Sequence, residues 1–105
     1  MSLPLQGEIW WAEIPDAGRR PALVVTRDAG IPVLGALLVA PVTRTIRNIP
    51  TEVALGHEEG LNVDCAASFD NLRLVPRWAL TERVGRLSPT KTQFFCRAYR
   101  AVADC

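Results

Sequence analysis

Apolar residues in this chain come in short bursts, each cut off by a proline, a glycine or a polar cluster, until Ser88-Pro89 changes the rhythm. Residues 8–14 are aromatic and apolar, bounded by Gly7 and Pro15, and read as a first strand. Residues 21–27 are apolar and β-branched and read as a second, joined to the first by the turn formers of Pro15-Asp16-Ala17-Gly18-Arg19-Arg20. Residues 33–40 form a near-continuous apolar run of strand length, which suits a central strand. Residues 50–55, 63–69, 72–75 and 83–87 complete the strand set, and residues 56–62 form a polar loop. Ser88 can cap a free backbone N–H, and Pro89 suits a first helical position because its missing N–H is not needed there. Beyond it Phe95, Tyr99 and Val102 recur at i, i+4, i+7, with Phe94, Ala98 and Ala101 beside them, so one helical face should pack on the sheet. Many short strands followed by one helix predict a mainly β fold with a C-terminal α-helix, its sheet strongly bent or closed into a small barrel.

At 105 residues the chain is expected to be one domain over residues 1–105. Its 49% hydrophobic and 22% charged residues are those of an ordinary globular chain and argue against disorder. The longest apolar run, residues 31–42, is interrupted by Pro32, Gly35 and Pro41. It falls short of the ~18 to 20 residues a membrane span needs. Residues 1–6 lack the basic start and apolar core of an export signal. The cysteines, Cys65, Cys96 and Cys105, are odd in number and show no paired spacing, which predicts a reducing cytoplasm over a disulfide framework or a metal site.

Net charge is only +1, but it is unevenly distributed. Residues 1–18 carry −3, residues 19–50 carry +4, residues 51–70 carry −5 and residues 71–105 carry +5. A fold joining the two basic segments would create a local anion site. Eleven of the twelve basic residues are arginine, whose planar fork grips phosphate at two points; genome composition favouring arginine codons is the simpler account of the bias as a whole, so each arginine is judged by its position.

Familiar catalytic sets are missing. The single histidine, His57, sits in a Gly-His-Glu-Glu-Gly turn and reads as a surface residue. No metal-ligand cluster and no phosphate-cradling Gly-Lys-Ser/Thr loop occurs, and no histidine stands at a recognisable spacing from a cysteine. Neither a metal nor a cofactor is expected. Two segments remain. In Gly18-Arg19-Arg20-Pro21 the proline restricts Arg20 to extended backbone. Pro41-Val42-Thr43-Arg44-Thr45 brings two hydroxyls and an arginine to the end of the central strand. Arginine can neutralise the extra charge of a five-coordinate phosphorus, and a threonine hydroxyl can donate to a phosphoryl oxygen. That pairing suits RNA, which supplies its own nucleophile, the 2′-hydroxyl. The alternative for both segments is a solvated loop.

Five pieces of the sequence together resemble the MazF/PemK family of bacterial toxins. They are Gly7-Glu8-Ile9-Trp10-Trp11, Arg20-Pro21-Ala22-Leu23-Val24-Val25, Ala40-Pro41-Val42-Thr43, Phe69-Asp70-Asn71-Leu72-Arg73-Leu74-Val75 and Gly85-Arg86-Leu87-Ser88-Pro89. The resemblance implies an SH3-like barrel, usually a homodimer, that cleaves single-stranded RNA without a metal and is neutralised by a cognate antitoxin. The products implied are a 2′,3′-cyclic phosphate and a 5′-hydroxyl. The family's catalytic arginine falls on Arg20 and its threonine on Thr43. An aspartate used by some members falls on Asp70, as proton acceptor or orienting group; otherwise Asp70 is a buried aspartate satisfying backbone N–H groups. Arg19, Arg44, Thr45, Asn71 and Arg73 are the implied RNA contacts. Arg44 stands where serine is common, Asn71 where glutamine is, and the loop before Arg20 is shorter than in many members. A non-catalytic toxin of the same fold, poisoning gyrase or only binding an antitoxin, is the alternative, and a peptide-binding SH3-like adaptor is a third reading.

Adjacent strand residues point to opposite faces, so one of Trp10 and Trp11 should enter the core. The other would stack on a base or lie in a dimer interface, while Trp78 should serve packing.

Overall fold

The computed structural model describes residues 3–104. Seven strands run β1 (Glu8–Ile14), β2 (Gly18–Val24), β3 (Ala36–Thr43), β4 (Glu52–Leu55), β5 (Cys65–Ser68), β6 (Arg73–Pro76) and β7 (Leu80–Arg86), and α1 (Thr92–Ala103) closes the chain. The sheet order is β4-β5-β3-β2-β1-β7, with β6 pairing β3, and every pairing is antiparallel. β3 is the hub, pairing β2, β5 and β6. Register shifts between β1 and β7 at Ile9/Trp10 and Trp11/Ala12 add local twist, which helps the sheet bend into a half-barrel, the strongly bent form of the expected SH3-like fold.

The bend explains the continuous apolar runs of the central strands. One core gathers Ile9, Leu23, Ala40, Val42, Val53 and Phe69 beneath α1, where Phe95 meets Phe69 edge to face at 5.4 Å between ring centres. Alternate residues of the same strands, among them Ala12, Ile14, Val24, Leu37 and Val39, build a second core with Ile31, Val75 and Leu80. A strand buried on both faces has no polar side to show.

Several element bounds differ from the sequence reading. β2 begins three residues earlier than expected because a tight turn at residues 15–17, with Asp16 at φ 65° and the Ala17 N–H on the Ile14 carbonyl, pairs Arg19 and Arg20 directly with β1. β3 starts at Ala36 because residues 30–34 turn back on themselves through hydrogen bonds to the Arg27 and Gly30 carbonyls. Ser88 does not cap the helix with its side chain. A 3₁₀ turn, Pro89–Lys91, intervenes before α1, and the Ser88 hydroxyl donates to Glu59. Of the expected helical face only Phe95 and Ala98 are buried; Tyr99 and Val102 are exposed. Trp10 packs on the second core, as one tryptophan should, and donates its indole N–H to Glu8. Trp78 is exposed rather than packed. Among the described residues no helix is long and apolar enough to cross a membrane.

Candidate active site

The β2–β3 ladder ends with Ala22 opposite Pro41, two residues from Arg20 along β2 and two from Thr43 along β3. Arg20 and Thr43 line one open cleft of about 550 Å³, with Trp11, Arg19, Arg44, Thr45, Leu61, Asn62 and Val63 around them and Cys65 at its base. β1 contributes Trp11, which lies opposite Pro21. The arginine and the threonine that the sequence singles out thus line the same open cavity.

Arg20 is held by one hydrogen bond, from Nη2 to the Ala17 carbonyl at 3.3 Å. Its Nε is buried without a partner. A desolvated N–H left open costs stability. The Thr43 hydroxyl oxygen accepts the Thr45 N–H at 3.1 Å. That bond occupies a lone pair and leaves the hydroxyl proton free to donate. Arg19 stacks over the Trp11 ring, 4.5 Å from its centre, and is shared between Glu13 at 3.8 Å and Glu82 at 3.6 Å. Arg44 is exposed at the rim. Among the described residues no carboxylate or imidazole lines the cleft. Arg20 and Arg44 bring positive charge to the cleft, Arg19 is paired with two glutamates, and Asp64 and Glu59 lie close enough to act on Cys65. Burial pushes the Cys65 thiol up, and Asp64 and Glu59 push it further, so it stays protonated.

The remaining predicted residues are not brought here. Asp70 is exposed in the 3₁₀ turn Phe69–Asn71 and accepts the Thr51 hydroxyl at 2.6 Å. It is neither in the cleft nor buried against backbone N–H groups, because β5 runs away from the Thr43 end of β3 before the chain reaches it. Asn71 donates to the Ser68 hydroxyl, and Arg73 donates to the Pro15 carbonyl at 2.7 Å. The two basic segments do not merge in the cleft: its arginines all come from the first. In the second, Arg77 serves the Ile31 and Pro32 carbonyls and Arg83 is bound to Glu8. Leu61 and Asn62, at the end of the expected polar loop, and Val63, at the start of the expected strand, carry no sequence signal that marks them as lining residues. Among the described residues no group of three or more histidines, cysteines or acids could hold a metal.

Residues 5–102 match the family described as PemK-like, MazF-like toxin of type II toxin–antitoxin system. The chain belongs to this family. It is 39% identical over 105 residues to the probable endoribonuclease MazF5 of Mycobacterium tuberculosis, covering 99% of this chain and 96% of that protein. It is 40% identical over 101 residues to the probable endoribonuclease MazF2 of the same organism, covering 95% of this chain and 98% of the relative. Among solved structures it resembles the Mycobacterium tuberculosis toxin MazF-mt6, with a TM-score of 0.86 and 31% identity over 92% of this chain and 96% of that one. An endoribonuclease in complex with its cognate antitoxin, from a mycobacterial species, shares the fold at a TM-score of 0.84 and 24% identity, covering 96% of this chain and 95% of that one. The MazF-like half-barrel thus carries the Arg20–Thr43 cleft on the β2–β3 seam.

Proposed function

We propose that this MazF-like toxin, acting as one domain over residues 1–105, is an endoribonuclease that cuts single-stranded RNA with the RNA's own 2′-hydroxyl as nucleophile. The observation that carries this reading is the buried, unpartnered Nε of Arg20 in a cleft that also holds the Thr43 hydroxyl. Arg20 receives the non-bridging oxygens of the scissile phosphate and offsets the charge that builds as the 2′-oxygen adds to phosphorus. Thr43 donates its proton to a phosphoryl oxygen. The P–O5′ bond breaks as the 2′-hydroxyl proton passes to water and the departing 5′-oxygen takes a proton from water, leaving a 2′,3′-cyclic phosphate and a 5′-hydroxyl. Arg44 and Thr45 bind the flanking backbone at the rim. Asp70 is not assigned the base, since it does not line the cleft and its carboxylate is held by the Thr51 hydroxyl. Activation of the 2′-hydroxyl then falls to solvent and to the field of Arg20, and the rate should climb with pH without a carboxylate inflection.

Relatives 39% and 40% identical that bear the name endoribonuclease favour cleavage over a binding-only toxin. The antitoxin partner is assigned on the family match and engages Arg20 and Arg44 with acidic side chains. The working unit is a homodimer, for which exposed Val33, Leu34 and Leu74 offer apolar surface. The free thiols of Cys65 and Cys96 support a reducing, cytoplasmic compartment. The test is incubation of the pure protein with a diverse single-stranded RNA pool in EDTA. Cleavage is expected, falling by about 10² to 10³ in Arg20→Ala. Intact RNA, or full activity in Arg20→Ala, overturns the reading.

A further inference from the structure

Glu59 is fully buried, yet nothing in the cleavage chemistry uses it. Its carboxylate accepts the Gly56 N–H at 2.9 Å, the Ser88 N–H at 3.3 Å, the Ser88 hydroxyl at 2.6 Å and the Lys91 ammonium at 3.0 Å. The donors come from two separate places: the 3₁₀ turn His57–Glu59, and the Ser88-Pro89 junction that leads into α1. Lys91 is the only lysine of the sequence. The turn is seated as closely as backbone permits. A Cβ on Gly60 would lie 2.6 Å from the Val84 carbonyl oxygen, and one on Gly85 would lie 2.8 Å from the Glu59 carbonyl carbon. Gly60 itself is left-handed at φ 91°.

The residues that follow this anchored turn are Leu61, Asn62 and Val63, one wall of the cleft. Leu61 is tied back by its N–H to the Gly56 carbonyl at 3.1 Å and packs on the core, whereas Asn62 and Val63 are exposed. The wall lines the same cleft as Arg20 and Thr43 but carries no charge, so its chemistry suits the bases beside the scissile phosphate rather than the phosphate itself. The Asn62 amide offers donors and an acceptor to a base edge.

We propose that Glu59, Ser88 and Lys91 form a latch that fixes the residue 61–63 wall against the cleft and thereby positions RNA bases next to the cut, a role that rests on the ribonuclease reading. Glu59, Ser88 and Lys91 touch no substrate and are positioning residues. The depressed protonation of Glu59 agrees with a carboxylate kept charged: burial raises its pKa, and the Ser88, Lys91 and Gly56 donors more than reverse that.

The test compares Lys91→Gln, Ser88→Ala and Lys91→Arg with the wild type, each checked for folding by circular dichroism. RNA kinetics are measured together with hydrogen exchange of the Gly60 and Leu61 amides, which bond the His57 and Gly56 carbonyls. For Lys91→Gln, KM should rise about tenfold with kcat within about twofold, nucleotide preference at the cut should relax, and both amides should exchange about tenfold faster. Ser88→Ala should move the same way by less, and Lys91→Arg should restore both readouts to near wild type. Exchange at the wild-type rate in Lys91→Gln overturns the latch, and loosened amides with unchanged KM and cut pattern overturn its role in positioning RNA. If the wild type cuts no RNA, the ribonuclease reading fails by itself, and the exchange rates still decide whether the latch exists.

Discussion

Among the glycines, Gly85 is where an added Cβ would come closest to another backbone atom, so Gly85→Ala is a direct test of the packing there. Gly85 lies in β7 against the backbone of the His57–Glu59 turn. An added Cβ would overlap the Glu59 carbonyl oxygen and sit 2.8 Å from its carbon. Neither atom belongs to a flexible side chain, so the turn and β7 must separate by about 1 Å to restore ordinary contact. Forced repacking of this kind costs about 1–3 kcal/mol. Here it also drags the buried Glu59 carboxylate from its donors, which places the total at the upper end, about 3 kcal/mol. At about 4 °C per kcal/mol for a domain of this size, the melting temperature should fall by about 12 °C. Gly35→Ala is the matched control, since its Cβ would meet nothing within 4 Å. It should leave stability unchanged or raise it by up to about 1 kcal/mol through the unfolded chain. Thermal unfolding followed by circular dichroism measures both. A fall of less than about 3 °C for Gly85→Ala, or equal falls for the two variants, would refute the close approach of β7 and the turn.

Acid should weaken the fold through Glu59 and Glu8. Burial raises the pKa of Glu8, but hydrogen bonds from Trp10, Leu5 and Arg83 bring it below 4.5. Glu59 is likewise held below 4.5, with Ser88 and Lys91 facing it and Glu58 sharing the Ser88 hydroxyl. A depressed carboxylate contributes fully above its unfolded pKa and loses that contribution as pH falls through the folded value. The melting temperature should therefore be flat from pH 7 to about 5 and drop below 4.5; a flat profile down to pH 3 contradicts both assignments. Phe95→Ala removes the edge-to-face partner of Phe69 from the core under α1 and should cost about 4 kcal/mol in urea unfolding, a loss under about 1 showing that α1 is loosely docked. Thr43→Val keeps the side-chain shape without the hydroxyl and should lower kcat by about 10² while leaving the melting temperature within about 2 °C, so wild-type turnover would remove Thr43 from the reaction. Arg44→Ala should weaken RNA binding uniformly and reduce the slope of log K against log salt by about 0.7, and an unchanged slope would place Arg44 outside the RNA path.

How far the sequence disclosed this site depended on whether a residue's role is local. Arg20 was legible because Pro21 restricts it to extended backbone and β2 carries it to the cleft, and Thr43 because it ends the apolar run of β3. The strands were legible as apolar bursts, but their ends shifted wherever pairing, a non-local property, extended or trimmed them. The extension of β2 to Gly18 depends on β1 being opposite, which no window around Gly18 contains. Charge misled for the same reason. Arg73 and Arg83 look like free cations in sequence, yet each is consumed by a group 58 or 75 residues away. Glu59 is the extreme case. Gly-His-Glu-Glu-Gly has the composition of a solvated loop, and its burial exists only because Ser88 and Lys91, 29 and 32 residues later, return with donors. Without them a carboxylate could not be held in that position, since an unpaired buried charge is too costly to survive. A polar loop read from composition can therefore become a rigid wall when the fold supplies counter-groups from elsewhere. The Ser88-Pro89 pair, which locally announces only a helix start, is here the half of that contact that the helix brings.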